Sequence, residues 1–107
     1  MVDIQNLESM LASGRDTALL RLTLGNAFIR KDKYEQAVEH LARAVELDPG
    51  YSAAWKAYGR ALAGHGRTQD AAEAYRKGIA VAHAKGDKQA AREMEVFLRR
   101  LEKQAPD

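Results

Sequence analysis

Cysteine is absent from the 107 residues, which excludes disulfides, thiolate metal sites and thiol nucleophiles together. Proline occurs twice and aromatics make up 7% of the chain, so long helices meet few breakers. No apolar run approaches the roughly 18 residues that a membrane span needs. Met1 to Ala12 carries Asp3 and Glu8 in place of a basic start leading into an apolar stretch, which is a poor secretory signal. The chain is therefore expected to be cytoplasmic and to make no membrane contact. A strong excess of one charge is missing as well: the net charge is +2, with 6 Lys/Arg against 8 Asp/Glu in residues 1–50 and 11 against 7 in residues 51–107. The mildly basic second half favours an acidic partner, but no long basic run marks a polyanion-binding segment.

What is present is the set helices prefer, Ala, Leu, Glu, Lys and Arg, in a length that suits one domain. The sequence also repeats. Shifted by about 34 positions, Gly25 meets Gly59, Ala27 meets Ala61, Phe28 meets Leu62, Ala37 meets Ala71, Leu41 meets Tyr75, Ala44 meets Gly78 and Val45 meets Ile79. Small residues match small ones and bulky apolar residues match bulky ones across two helices, the mark of a stacked hairpin.

The first copy, 18–51, carries Leu24-Gly25, Ala27, Phe28, Tyr34, Ala37, Leu41, Ala44 and Leu47-Asp48-Pro49; the second, 52–85, carries Trp55, Tyr58-Gly59, Ala61, Leu62, Ala71, Tyr75 and Gly78. In these residues the chain resembles the tetratricopeptide repeat family over most of its length. The resemblance implies an all-α fold, a right-handed superhelix of helical hairpins, as a single domain over 1–107. Arg21 stands where the family carries a bulky residue, and His83 where it carries proline; the latter extends the last hairpin helix to about Ala84. Gly25 and Gly59 should let paired helices approach closely, with Ala37 and Ala71 opposite. Trp55, Tyr58, Leu62 and Tyr75 fill the space between them. Pro49 ends a helix through its effect on Asp48; Ser52 and Thr68 are expected N-caps, and Gly64 and Gly66 bracket a turn.

At the ends, Ile4, Leu7, Met10 and Leu11 fall at helical spacing, giving a half-repeat helix over 3–12. Gly86 closes one helix and Asp87 caps another over 87–103, whose Ala90, Met94, Phe97, Leu98 and Leu101 form one stripe under a polar outer face. Residues 104–107 are expected to fray.

Groups for catalysis do not assemble. His40, placed on an outward position, His65 and His83 have no metal-ligand spacing. Gly64-His65-Gly66-Arg67-Thr68 lacks the Gly-Lys-Ser/Thr ending of a phosphate loop and follows a helix. Glu35, Glu39 and Glu46 lie on a polar face, where Lys31 and Arg43 offer Glu35 and Glu39 ordinary ion pairs, and Glu93 and Glu95 lack a matched neighbour. The expectation is a non-enzymatic chain with no cofactor, metal or small-molecule substrate.

The resemblance implies instead a protein or peptide partner, held on a concave face lined by the first helix of each hairpin. Mapped by position, that face offers Leu19, Leu22, Asn26, Ile29 and Arg30, then Ala53, Lys56, Arg60 and Ala63. Apolar residues beside Asn26, Lys56 and Arg60 suit an acidic peptide. A subset of the family clamps chaperone carboxylates with a Lys and Asn pair on the first helix and a further Asn, Lys and Arg. Here Asn26 is kept, but Leu22 stands at the Lys position and Ala57 at the second Asn position, so that clamp is not expected. Two alternatives remain: self-assembly or a subunit role, using Val96, Leu98 and Leu101, and, ranked last, nucleic-acid binding through Arg60, Arg67, Arg76, Lys77 and Lys85.

Overall fold

In the computed structural model, which describes residues 3–104, the chain forms six helices and no strand among the described residues: α1 (Ile4–Ala12), α2 (Ala18–Arg30), α3 (Tyr34–Leu47), α4 (Ser52–Gly64), α5 (Thr68–Lys85) and α6 (Lys88–Gln104). The tail expected to fray falls, beyond Gln104, outside the described residues.

Starts and stops follow local chemistry. Asp3 caps α1 by accepting from Gln5 N–H at 3.0 Å, and Asp87 caps α6 by accepting from Ala90 N–H at 3.1 Å. Thr17 caps α2 through Leu20 N–H at 3.1 Å. Ser52 and Thr68 are not caps: each is the first helical residue, after Tyr51 and Arg67. The Ser52 hydroxyl reaches 3.4 Å to Asp87 instead. Asp48 is extended, φ −143°, as a residue before proline must be. That exposed turn is tied to α4 by the indole of Trp55, whose Nε1–H donates to the Pro49 carbonyl at 2.7 Å.

The two hairpin turns are copies. Lys33 N–H bonds the Phe28 carbonyl and Arg67 N–H bonds the Leu62 carbonyl, both at 2.9 Å. The left-handed position of each turn falls to Asp32, φ +57°, in the first and Gly66, φ +82°, in the second. Gly64 is not part of that second turn; it is the last residue of α4, and the Tyr34 ring lies on it. The longer α5 runs to Lys85, where Gly86 takes φ +75° and closes it.

Each helix packs on its successor, and α2, α4 and α6 also touch in series, whereas α3 and α5 do not meet. The result is an inner layer of α2, α4 and α6 and an outer layer of α3 and α5, with α1 laid on α2 alone. The main apolar core runs through both layers, centred on fully buried Leu24, Leu41, Leu62 and Met94, and a smaller cluster of Ala44, Val45 and Ala54 lies between α3 and α4.

Glycine sets the spacing between layers, although the residues opposite are not the alanines. A Cβ on Gly25 would overlap the Leu41 side chain, and one on Gly59 would come within 2.5 Å of the Tyr75 ring. Leu41 and Tyr75 are themselves repeat equivalents, so each hairpin is keyed by one bulky outer-layer side chain seated on an inner-layer glycine. Gly78 does the same for Met94 of α6. Ala37, Ala44 and Ala71 are fully buried beside these contacts. Burial pushes the Tyr75 hydroxyl up to about 12.

Candidate functional site

The inner layer encloses a cleft of about 400 Å³ lined by Leu22 and Asn26 of α2, Ala53, Lys56, Ala57 and Arg60 of α4, and Glu93 and Phe97 of α6. Helical spacing puts these side chains on one side of the sheet of helices: 22 and 26 are one turn apart, as are 53, 56–57 and 60, and 93 and 97. Leu22 and Ala57 are buried floor residues, Asn26, Lys56 and Phe97 are partly exposed, and Arg60 is exposed at the rim.

Of the residues mapped to this face from sequence, the structure brings Leu22, Asn26, Lys56 and Arg60 together with Ala53. It does not bring the others. Leu19 is 64% exposed and stands outside the cleft, Ile29 is taken into the core, and Arg30 is exposed at the end of α2. Two residues of α6 join the cleft: Phe97, expected on the apolar stripe of the capping helix, and Glu93, expected to lack a matched neighbour. The periodic stripe containing Phe97 was visible in the sequence, but the turn before α6 fixes which flank meets α4.

Electrostatics divides the two cations. Lys56 Nζ lies 3.1 Å from Glu93 Oε1, with side-chain exposures of 38% and 44%. Arg60 is in no ion pair among the described residues. The cleft thus presents one free guanidinium at its rim, a partly neutralised ammonium, and an apolar floor. Such an arrangement can accept a carboxylate bidentately at Arg60 and an apolar side chain against Leu22, Ala57 and Phe97. The Phe97 ring is fixed by Tyr75, 5.7 Å away between centroids, and by the Arg100 guanidinium at 5.8 Å.

A second polar cluster lies away from the cleft and was not foreseen. Arg21, at the position where a bulky residue belongs, donates to Asp16 at 2.8 Å and contacts His40 Nδ1 at 3.1 Å. His40 is not on an outward face: its ring stacks on Phe28 at 5.5 Å, 4° from parallel. Burial, then the Arg21 charge, holds the His40 imidazole below its ordinary value. Asp16 also takes Arg43 at 3.4 Å, and its carboxyl is held below the usual range, chiefly by the hydrogen bond from Arg21. Arg43 therefore does not serve Glu39, and among the described residues neither Glu35 nor Glu39 forms the ion pair expected of it.

The five cations considered for nucleic acid are spread and mostly engaged. Arg67 pairs with Asp70 at 2.8 Å, Arg76 with Glu102 at 3.5 Å, and Lys77 sits 5.7 Å from the Trp55 ring centroid. No described helix is long and apolar enough to cross a membrane.

Known proteins agree with this architecture. The Tetratricopeptide repeat family model matches residues 22–87. A TPR repeat-containing protein of Pseudomonas aeruginosa is 49% identical over 100 residues, covering 94% of this chain and 95% of that one. The solution structure of a Bordetella parapertussis protein superposes with a TM-score of 0.83 at 41% identity, covering 97% of this chain and 90% of that one. The second TPR domain of the human RPAP3 protein, solved in complex with the HSP70 peptide SGPTIEEVD, matches with a TM-score of 0.77 at 26% identity, covering 92% and 78%. The chain belongs to the tetratricopeptide repeat family. It is a domain of the protein–protein interaction type, in a family whose members are in general not enzymes.

Proposed function

We propose that the cleft between α2, α4 and α6 binds an extended segment of a partner protein, with an apolar side chain on the floor and a carboxylate at Arg60. The observation that carries this reading is the convergence of Leu22, Asn26 and Lys56 on one concavity with the exposed Arg60 guanidinium, which has no counter-ion among the described residues. The related RPAP3 domain is bound to an acidic peptide, which supports the charge of the ligand. The same peptide is not the expected best ligand, because the buried floor is Leu22 and Ala57 where a carboxylate clamp needs polar side chains.

The test uses a photo-crosslinking residue at the exposed Ala53 to trap the partner in the cells that make the protein. Binding of the purified partner is then compared with the Arg60→Glu variant. A loss of about tenfold or more is expected from reversing one charge at a carboxylate contact. Unchanged binding moves the partner off this cleft.

A further inference from the structure

Two helices far apart in the fold carry stripes that fit each other. On α3, Glu35, Glu39, Ala42 and Glu46 stand at i, i+4, i+7 and i+11 and so share one face. The three glutamates are exposed, Ala42 is partly exposed, and none of the three carboxylates is in an ion pair among the described residues. On α6, Arg92, Val96, Arg99 and Lys103 repeat the same spacing. All four are exposed, Val96 at 37%, and the three cations are likewise unpaired.

That outer face of α6 is cationic because its acids are turned to the flanks. Glu93 is held by Lys56 at 3.1 Å and Glu102 by Arg76 at 3.5 Å, while Glu95 lies 3.4 Å from the His83 ring, on the flank of α6. No acidic residue falls on the stripe of Arg92, Val96, Arg99 and Lys103 itself. Laid antiparallel, the two stripes register residue for residue: Glu46 against Arg92, Ala42 against Val96, Glu39 against Arg99, and Glu35 against Lys103. The one apolar residue of each stripe meets the other. Within one molecule the two helices do not touch, so the match can be used only between molecules.

We propose that α6 of one copy docks antiparallel along α3 of a second copy of this chain. Each stripe is about 17 Å long at 1.5 Å per residue, and antiparallel helix dipoles add to the fit. Exposed ion pairs contribute little singly and are screened by salt. The association is therefore weak, salt-sensitive and suited to high local concentration. The two patches differ, so the contact is heterologous and either chains copies or closes through a second equivalent contact. None of the eight stripe residues lines the cleft. Assembly leaves that groove open and multiplies it, and the inference stands independently of what the groove binds.

The test is light scattering or sedimentation of the native chain at about 25 mM salt and again at about 500 mM, where screening is strong. Mass should rise with concentration in the first and return to that of the monomer in the second. Arg92→Glu/Arg99→Glu/Lys103→Glu, and separately Glu35→Lys/Glu39→Lys/Glu46→Lys, should each be monomeric with native circular dichroism. Mixing the two variants should restore association. So should one chain carrying all six changes, which keeps the net charge at +2. A native chain that stays monomeric up to about 1 mM at the low salt, where charges are least screened, overturns the proposal. So does association that survives either triple change, or a six-fold swap that does not reassociate.

Discussion

The Lys56 ammonium lies 3.1 Å from the Glu93 carboxylate, joining α4 to α6 across the wall of the cleft. Both side chains are more than a third exposed, so the pair adds less than about 1 kcal/mol to stability. Its larger effect is on binding, since Glu93 occupies the cation that a second ligand carboxylate would seek and repels that carboxylate as well. Glu93→Gln should raise affinity for the multiply acidic peptide SGPTIEEVD about two- to fivefold, as about 0.4 to 1 kcal/mol of coupling would give. Calorimetric titration of both proteins checks it; equal affinities would remove Lys56 from the binding surface.

Gly59 sits in the interior of α4, where alanine is intrinsically better by about 1 kcal/mol. The Tyr75 ring, 3% exposed, leaves no room for the added methyl. Overpacking of this kind costs about 1–3 kcal/mol. The packing term should win, and Gly59→Ala should lower the melting temperature by roughly 5 °C or more. A rise in melting temperature would show that the Tyr75 ring shifts freely.

His40 ties stability to pH. Its folded-state value lies below the ordinary 6.5, through burial and then the Arg21 charge. The unfolded chain therefore takes up this proton first as pH falls, and the stability it contributes is present above 6.5 and lost as pH drops through the folded value. Urea midpoints between pH 7.5 and 5 should fall more steeply for the native chain than for His40→Gln. Nuclear magnetic resonance should show Arg21→Gln moving the His40 titration upward; parallel slopes and an unmoved titration would contradict this account.

Gly66 has φ +82° and no atom within 4 Å of a would-be Cβ, so substitutions there report backbone cost alone. Gly66→Val should destabilise by about 2 kcal/mol and Gly66→Asn by under about 1 kcal/mol, because Asn tolerates the left-handed region and a β-branched residue does not. Asp32 already fills the equivalent position of the first hairpin, φ +57°, where its carboxylate accepts from the Tyr34 hydroxyl at 3.0 Å. Equal losses for Val and Asn in denaturant melts would point to a hidden steric contact.

Much of this was legible in the residues. The internal offset placed Gly25 over Gly59 and Leu41 over Tyr75, and the helices follow it from Ala18 to Lys85. Asp87 and Gly86 announced the start of α6 and the end of α5 because caps are local hydrogen-bond chemistry. Ser52 and Thr68 misled for the same reason: a capping residue type was present, but the chain enters the helix one residue earlier. For the candidate site, five of the nine mapped residues share the cleft. Ile29 does not, since periodicity gives a residue's direction around its own helix and not the depth of the neighbour it faces.

The opening absences and the repeat determined the class of fold by themselves, because helix propensity, capping and close-packed glycine are properties of short stretches of chain. What tertiary structure alone decided is where charges end up. Arg43 goes to Asp16, 27 residues away, and not to Glu39 on its own helix. Lys56 goes to Glu93, 37 residues away. Ion pairing depends on distances of a few ångströms between helices, which sequence spacing does not specify, and those choices leave Arg60 free at the groove and two matched stripes on its outside.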